Sequence, residues 1–317
     1  MRHQYDSKSR VTLWLFRIML SIILAPSLAD AAERGVGSVP LDAGVARNCN
    51  IDAQGILRCW GDDVRPFSGA AVEGRFIAVS VAVDRTCAIR ADGLAGCWLP
   101  AEPSVFHALP FGPVIAIDAT SHDVCAVRSD GQLRCMGGEL SMHAPNQGRH
   151  TAISVARDRA CALRTDGRLD CWGKDGSRLS GNFTDERYLN VSTSDTHACA
   201  VRVDGEVACT ATNGMLSVSP PGGMRALAIA TGAGFGCAIL DDGRIRCWGN
   251  AGAGLMHAPS GGFVAISASD SHACAQSVDG EVRCWGDLPH GSRPGNEYRR
   301  RLPDVALDIA AGEQRTC

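Results

Sequence analysis

Fourteen of the fifteen cysteines in this chain fall into seven pairs, each separated by nine residues. Cys49 goes with Cys59, Cys87 with Cys97, Cys125 with Cys135, Cys161 with Cys171, Cys199 with Cys209, Cys237 with Cys247 and Cys274 with Cys284. Nine intervening residues is not a usual zinc-finger spacing. The remaining choices are a disulfide or a buried, reduced thiol, and the residues between the cysteines bear on which. Six positions after each first cysteine stands a glycine (Gly55, Gly93, Gly131, Gly167, Gly205, Gly243, Gly280). In six of the seven copies it follows an aspartate (Asp92, Asp130, Asp166, Asp204, Asp242, Asp279). Asp-Gly between two apolar runs signals a β-hairpin. A three-residue loop ending in a left-handed glycine sets Cys87 directly opposite Cys97, on a non-hydrogen-bonded pair with Cα atoms about 4.5 Å apart. A two-residue loop would instead set Cys87 against Trp98. The expectation is one cross-strand disulfide per hairpin.

The first cysteines recur at intervals of 38, 38, 36, 38, 38 and 37 residues. Such a period means a repeat array in which each unit buries its faces only against its neighbours. Strand alternation gives each hairpin two apolar faces. One is a dry face that carries both cysteines, with Ile89, Val127, Leu163, Val201 and Ile239 at the second position after the first cysteine. The other carries a small residue (Ala88, Ala126, Ala162, Ala200, Ala238, Ala275) and the tryptophans Trp60, Trp98, Trp172, Trp248 and Trp285, with Met136 and Thr210 in the exceptional copies. Two apolar faces suit a blade stacked between two others.

Cys-Ala-Leu-x-x-Asp-Gly-x-Leu-x-Cys-Trp-Gly at 161–173, with Cys237–Gly249 and Cys274–Gly286, resembles the repeat of the regulator of chromosome condensation family. The resemblance runs over residues 39–317. It implies an all-β, seven-bladed β-propeller. The cysteine-bearing version is similar in build to exported bacterial propellers, to the ectodomain of crinkly-type plant receptor kinases, and to β-lactamase-inhibitory protein II, a binding protein. An eighth start, Val305 to Cys317, stops before its hairpin. The expectation is that it lends a strand to close the ring, with truncation of an eighth repeat as the alternative; Cys317 has no obvious partner.

Residues 1–31 read as a signal peptide. Arg2, Lys8 and Arg10 precede the apolar stretch Val11–Ala25, and Ala29-Asp30-Ala31 supplies a small-x-small cleavage site. Residues 32–317 then form a single propeller domain. The uninterrupted apolar run is too short to span a bilayer, so no stable membrane span is expected after cleavage. A secreted or periplasmic compartment suits the cysteines. The net charge of −3 gives no bulk drive toward nucleic acid.

No Gly-x-Ser-x-Gly elbow, His-Glu-x-x-His or phosphate loop occurs in the sequence. No catalytic residue, metal site or cofactor is assigned. His197 and His272 stand two residues before a cysteine, where Arg47, Arg85, Arg159 and Arg315 stand elsewhere. A position shared by His and Arg reads as a structural donor to a neighbouring blade. The turn aspartates read as turn chemistry, and the repeated Met-His-Ala-Pro (142–145 and 256–259) as a consequence of the blade repeat. Phe67, Phe106, His107, Phe111, Phe183, Tyr188, Met215 and Tyr298, in the variable inter-blade segments, are the partner-contact candidates. The reading is a non-enzymatic propeller that binds a protein or, second, a surface glycan. The alternatives are a propeller hydrolase or lyase with an axial pocket and, further off, a nuclear exchange factor or chromatin binder.

Overall fold

The computed structural model describes residues 41–43, 47–51, 55–61, 74–82, 84–99, 101–177, 183, 186–211, 218–250, 252–268, 270–277, 281–286 and 298–301. All belong to the second of two units into which the chain divides, Met1–Glu33 and Arg34–Cys317. The expected leader, the partial repeat at 305–317 and Cys317 lie outside the described residues.

The described chain is nearly all strand and forms the seven blades of a β-propeller. Blade 1 holds β1 (Leu41–Ala43), β2 (Arg47–Ile51) and β3 (Leu57–Gly61). Blade 2 holds β4 (Phe76–Val81), β5 (Thr86–Arg90) and β6 (Leu94–Leu99). The long strand β7 (Glu102–Ala119) then serves two blades. Its first part pairs with β6 as a fourth strand, and from Val114 onward it pairs with β8 (Asp123–Arg128) as the first strand of blade 3. Gly112, at φ +75°, and Pro113 mark the crossing. Blade 3 ends with β9 (Leu133–Gly137). Blade 4 comprises β10 (His150–Ala156), β11 (Arg159–Arg164) and β12 (Leu169–Gly173), and blade 5 comprises β13 (Tyr188–Thr193), β14 (His197–Arg202) and β15 (Val207–Ala211). Blade 6 comprises β16 (Ala226–Gly232), β17 (Phe235–Leu240) and β18 (Ile245–Gly249). Blade 7 comprises β19 (Phe263–Ala268), β20 (His272–Ser277), β21 (Glu281–Gly286) and a fourth strand, β22 (Tyr298–Arg301). Two short helices, α1 (Glu139–His143) and α2 (Ala253–Met256), follow blades 3 and 6.

The hairpins obey the expected register. In every blade the second strand meets the third with cysteine opposite cysteine, as in Cys87↔Cys97 and Cys161↔Cys171. All seven expected disulfides are present. Cys49 bonds to Cys59, Cys87 to Cys97, Cys125 to Cys135, Cys161 to Cys171, Cys199 to Cys209, Cys237 to Cys247 and Cys274 to Cys284. Their Cα atoms lie 4.0–4.1 Å apart, slightly closer than expected. The two arms are not equally dry, and here the expectation is corrected. Each first cysteine is fully buried, but Cys59, Cys135, Cys171 and Cys247 are only half-buried; Cys97, Cys209 and Cys284 are buried. The third strand lies further from the axis, so the next blade covers it less completely than it covers the second.

The turn is the three-residue kind. Gly93, at φ +85°, donates its N–H to the Arg90 carbonyl at 2.8 Å, and the Asp92 carboxylate accepts from the Leu94 N–H at 3.0 Å. The same aspartate–backbone bond recurs at Asp130, Asp166, Asp204 and Asp242, so these carboxylates do fasten turns.

Each of the six seams from blade 1 to blade 7 is its own core. Cys49, Ile51 and Leu57 of blade 1 pack on Phe76, Val79, Ala88 and Trp98 of blade 2, with Cys59 at the edge of the cluster. Cys199, Cys209 and Val201 of blade 5 pack on Ile229, Ala238 and Trp248 of blade 6. Cys135 and Cys247 border the corresponding clusters ahead of blades 4 and 7. The cysteine face of one blade thus meets the tryptophan face of the next. The tryptophans also reach back to the preceding inter-blade segment. Trp172 Nε1 donates to the Leu140 carbonyl in α1 at 3.0 Å, Trp248 Nε1 to that of Val218 at 2.8 Å, and Trp285 Nε1 to that of Leu255 in α2 at 3.1 Å. Leu140 and Leu255 are themselves buried. The repeated Met-His-Ala-Pro therefore recurs with the helical segment that its blade's neighbour clamps. Backbone bonds add a second tie. Turn-glycine carbonyls accept the N–H that opens the next blade, as in Val114 to Gly93, His150 to Gly131, Tyr188 to Gly167 and Ala226 to Gly205 (2.7–2.9 Å).

Candidate functional site at the axial mouth

The eight partner-contact candidates do not assemble into one surface. Phe67 and Met215 lie outside the described residues, and Tyr298 opens β22 opposite Cys284. Phe111, Phe183 and Tyr188 are buried, Phe183 edge-on to Tyr188 with centroids 5.5 Å apart. Phe106 packs on Trp98 (4.7 Å) and Phe76 (6.3 Å). Phe111, Phe183 and Tyr188 are drawn into seams, so the expectation that they face a partner is corrected for these three, while Phe106 is half-buried. Of the eight, His107 remains half-exposed, with Nε2 2.9 Å from the Glu102 carboxylate.

Of the residues two before a first cysteine, two arginines bond to the next blade, as expected. Arg85 Nη2 donates to the Ser121 carbonyl at 2.5 Å and Arg159 Nη2 to that of Asp195 at 2.9 Å, each one blade further on. Asp123, at the same register, accepts the Ser141 N–H of α1 at 3.0 Å. His197 Nδ1 lies 3.1 Å from Ser194 Oγ and 3.0 Å from Thr196 Oγ1. Burial, and secondarily the Arg159 guanidinium, push its pKa down to about 4, so it is neutral at ordinary pH.

The first strands of successive blades touch one another and so line the axis. Opposite the first cysteine they carry Ser80, Asp118, Ser154, Ser192 and Ser267 in blades 2 to 5 and 7. This polar belt laces blades together. Ser80 Oγ donates to Asp118 Oδ1 (2.9 Å), and Asp118 Oδ2 accepts the Val155 N–H (2.7 Å), so one carboxylate joins blades 2, 3 and 4. Ser154 pairs with Thr193 (2.9 Å) and Ser192 with Thr231 (3.0 Å). Desolvation raises the Asp118 pKa to about 6, against the lowering pull of its hydrogen bonds to Val155, Ser80 and Ala119.

Above this belt, at the turn-side end of the same strands, is a feature that the strand pattern did not disclose. Each first strand of blades 2 to 7 carries a β-bulge at one register: between Phe76 and Ala78, Val114 and Ala116, His150 and Ala152, Tyr188 and Asn190, Ala226 and Ala228, and Phe263 and Ala265. A bulge leaves one residue out of the ladder and re-aims it. Those residues are Ile77, Ile115, Thr151, Leu189, Leu227 and Val264. The five aliphatic ones are 36–48% exposed, although the residue before each is buried. They form an apolar collar at the mouth of the axis. Two residues before four of the six stands an exposed arginine: Arg75, Arg149, Arg187 and Arg225. Each lies across the turn glycine of the preceding blade: a Cβ on Gly131 would come within 2.9 Å of Arg149, and one on Gly167 within 3.0 Å of Arg187. The sequence signal was present as the recurring Arg-x-apolar at 75–77, 187–189 and 225–227. It reads as ordinary strand unless the bulge is known.

Among the described residues, no group of three or more His, Cys, Asp or Glu side chains is placed to hold a metal ion, and no helix is long and apolar enough to cross a membrane.

Residues 227–254 and 263–291 match the model of the regulator of chromosome condensation (RCC1) repeat. No curated protein matches the chain. Among solved structures it is similar to the CRINKLY WD40 ectodomain of the Arabidopsis thaliana receptor kinase ACR4, with 18% identity and TM-score 0.68 over 84% of this chain and 99% of that one. The entire ectodomain of the Physcomitrella patens receptor kinase CR4 gives 20% and 0.65 over 81% and 76%. Prp20p from Saccharomyces cerevisiae, whose structure was described with its binding to Gsp1p and histones, gives 14% and 0.65 over 91% and 93%. These two stretches match RCC1 repeats, and the described chain folds as a propeller.

Proposed function

We propose that this chain is an exported, non-enzymatic binding propeller and that the turn-side axial mouth is its docking surface for another protein. The observation that carries this reading is the collar. Bulges at one register hold Ile77, Ile115, Leu189, Leu227 and Val264 toward solvent, each beside a buried neighbour on its own strand. Exposed aliphatic side chains repeated at one register of neighbouring strands, with arginines beside them, are the kind of surface that a protein partner covers. Aliphatic side chains give a glycan no hydrogen bond, which favours protein over the glycan alternative. The belt below is occupied with lacing blades together, which disfavours the hydrolase or lyase alternative. Yeast Prp20p, of the same fold, was described with its binding to Gsp1p and histones, and Kap60 was described bound to yeast RCC1. Seven disulfides suit an oxidising compartment outside the cytoplasm, and residues 1–31 supply the leader for that route.

The test is quantitative capture from the native extracellular fluid by the wild-type chain and by a Leu189→Asp/Leu227→Asp variant. Both substituted side chains are exposed, and Thr151 shows that a polar residue fits this register. Loss of a specific protein from the variant's capture is expected. An identical set of captured proteins would overturn the docking surface.

A further inference from the structure

Resting on that reading, we infer that the mouth takes an extended acidic segment of a partner polypeptide, with one aliphatic side chain inserted in the collar and carboxylates on the arginines around it. The charge pattern supplies the argument. Four turn aspartates of this face are each matched by an arginine of their own hairpin, Arg90 with Asp92 (3.6 Å), Arg128 with Asp130 (3.3 Å), Arg164 with Asp166 (3.3 Å) and Arg244 with Asp242 (2.6 Å), while Asp241 is exposed at the tip of blade 6 without an ion pair among the described residues. Arg202 is held by Glu186, Asp204 and Glu206 together. Glu206 meets Arg225 through a backbone bridge, but its carboxylate is the one bound to Arg202. Closer to the axis stand Arg75, Arg149, Arg187 and Arg225, next to the collar residues in the chain. Arg149 Nε donates to the Asp130 carbonyl at 2.8 Å. None of the four makes an ion pair among the described residues. The face is therefore mixed in sign at its tips and cationic at its mouth.

An arginine fork recognises carboxylates bidentately, and exposed aliphatic side chains set between the arginines take an apolar one. The two demands together describe a peptide carrying carboxylates on both sides of a leucine-like residue. A nucleic acid would satisfy the arginines but leave the collar in water. A bilayer is flat and would be held off by the turn aspartates at the tips.

The probe is a fluorescein-labelled peptide with four glutamates on either side of one leucine, read by anisotropy at 50 mM salt. Binding is expected to weaken about tenfold when the leucine becomes serine, the scale of one aliphatic side chain returned to water. It is expected to weaken at least tenfold in an Arg187→Ser/Arg225→Ser variant. That second difference is expected to shrink at 0.5 M salt, where screening is short-ranged. Unchanged melting and a full set of seven disulfides identify variants that remain folded. No binding at 1 mM, equal binding of a lysine-flanked peptide, or indifference to the arginine variant overturns the inference. If the peptide fails while Leu189→Asp/Leu227→Asp still abolishes capture of the native partner, the acidic segment falls and the docking surface stands.

Discussion

Removing one indole hydrogen bond should loosen a seam between blades by a measurable amount. Trp172 of blade 4 is buried against blade 3 and donates Nε1–H to the Leu140 carbonyl of α1 at 3.0 Å. Trp172→Phe keeps an aromatic ring but removes the donor. The Leu140 carbonyl then loses its indole donor beside a fully buried side chain, which costs about 1 kcal/mol. The smaller ring also leaves a void worth about 1 kcal/mol. The sum is a loss of about 2 kcal/mol in urea unfolding followed by circular dichroism under non-reducing conditions. Leu140→Ala removes the packing partner of the same indole, so the two substitutions are expected to be non-additive, with a coupling of about 0.5–3 kcal/mol in a double-mutant cycle. A loss below about 0.5 kcal/mol for Trp172→Phe, or strict additivity, would refute the clamp.

Other expectations follow from the same geometry. Replacing Cys161 and Cys171 together with serine frees a ten-residue loop, for which chain entropy gives about 2.8 kcal/mol; the melting temperature should fall while the propeller's circular dichroism persists. Gly93→Ala forces a side chain onto a residue at φ +85° with Pro113 Cβ 3.3 Å from the new methyl, and should cost about 1–2 kcal/mol in the same titration. His197 has a folded pKa of about 4, below its unfolded value near 6.5, so the stability it permits at neutral pH is lost as pH falls through that window, by roughly 3 kcal/mol. His197→Phe, which installs the residue that blade 6 carries at this register in Phe235, should flatten that part of the pH–stability curve. Asp118 has the opposite sign: its folded pKa of about 6 lies above the unfolded value, so its contribution to stability rises as pH falls from about 6 to about 4. Asp118→Asn should abolish that rise, measured as urea midpoints at pH 7 and pH 5.

Much of the scaffold was legible because it rests on local rules repeated seven times. The position of Gly93 relative to Cys87 and Cys97 fixes the loop length, and loop length fixes which residues face each other across the hairpin. The alternation of cysteine and tryptophan faces followed from the pleat, and Arg85 and Arg159 of the shared Arg/His register bond to the next blade as read. How dry each cysteine is did not follow, since Cys59, Cys135 and Cys247 owe their partial exposure to how far the next blade reaches outward. Three of the aromatic candidates were misread because exposure was judged from their place in loops. Phe111, Phe183 and Tyr188 are buried by neighbouring blades, a fact of stacking that a single repeat does not carry. The collar escaped for a different reason. A bulge inserts one residue into a strand and reverses its facing, so Ile77 and Leu189 look like buried strand residues until the register with the next strand is known.

Seven hairpins, each clipped to itself, set the register that places the turns, the bulged strands and the arginines. Digestion of the unreduced native protein, with mass spectrometry of the linked peptides, reads this directly. The account predicts seven bridges, each joining cysteines ten positions apart: Cys49 with Cys59, Cys87 with Cys97, Cys125 with Cys135, Cys161 with Cys171, Cys199 with Cys209, Cys237 with Cys247 and Cys274 with Cys284. Bridges running between different repeats, or free thiols at these positions, would contradict it.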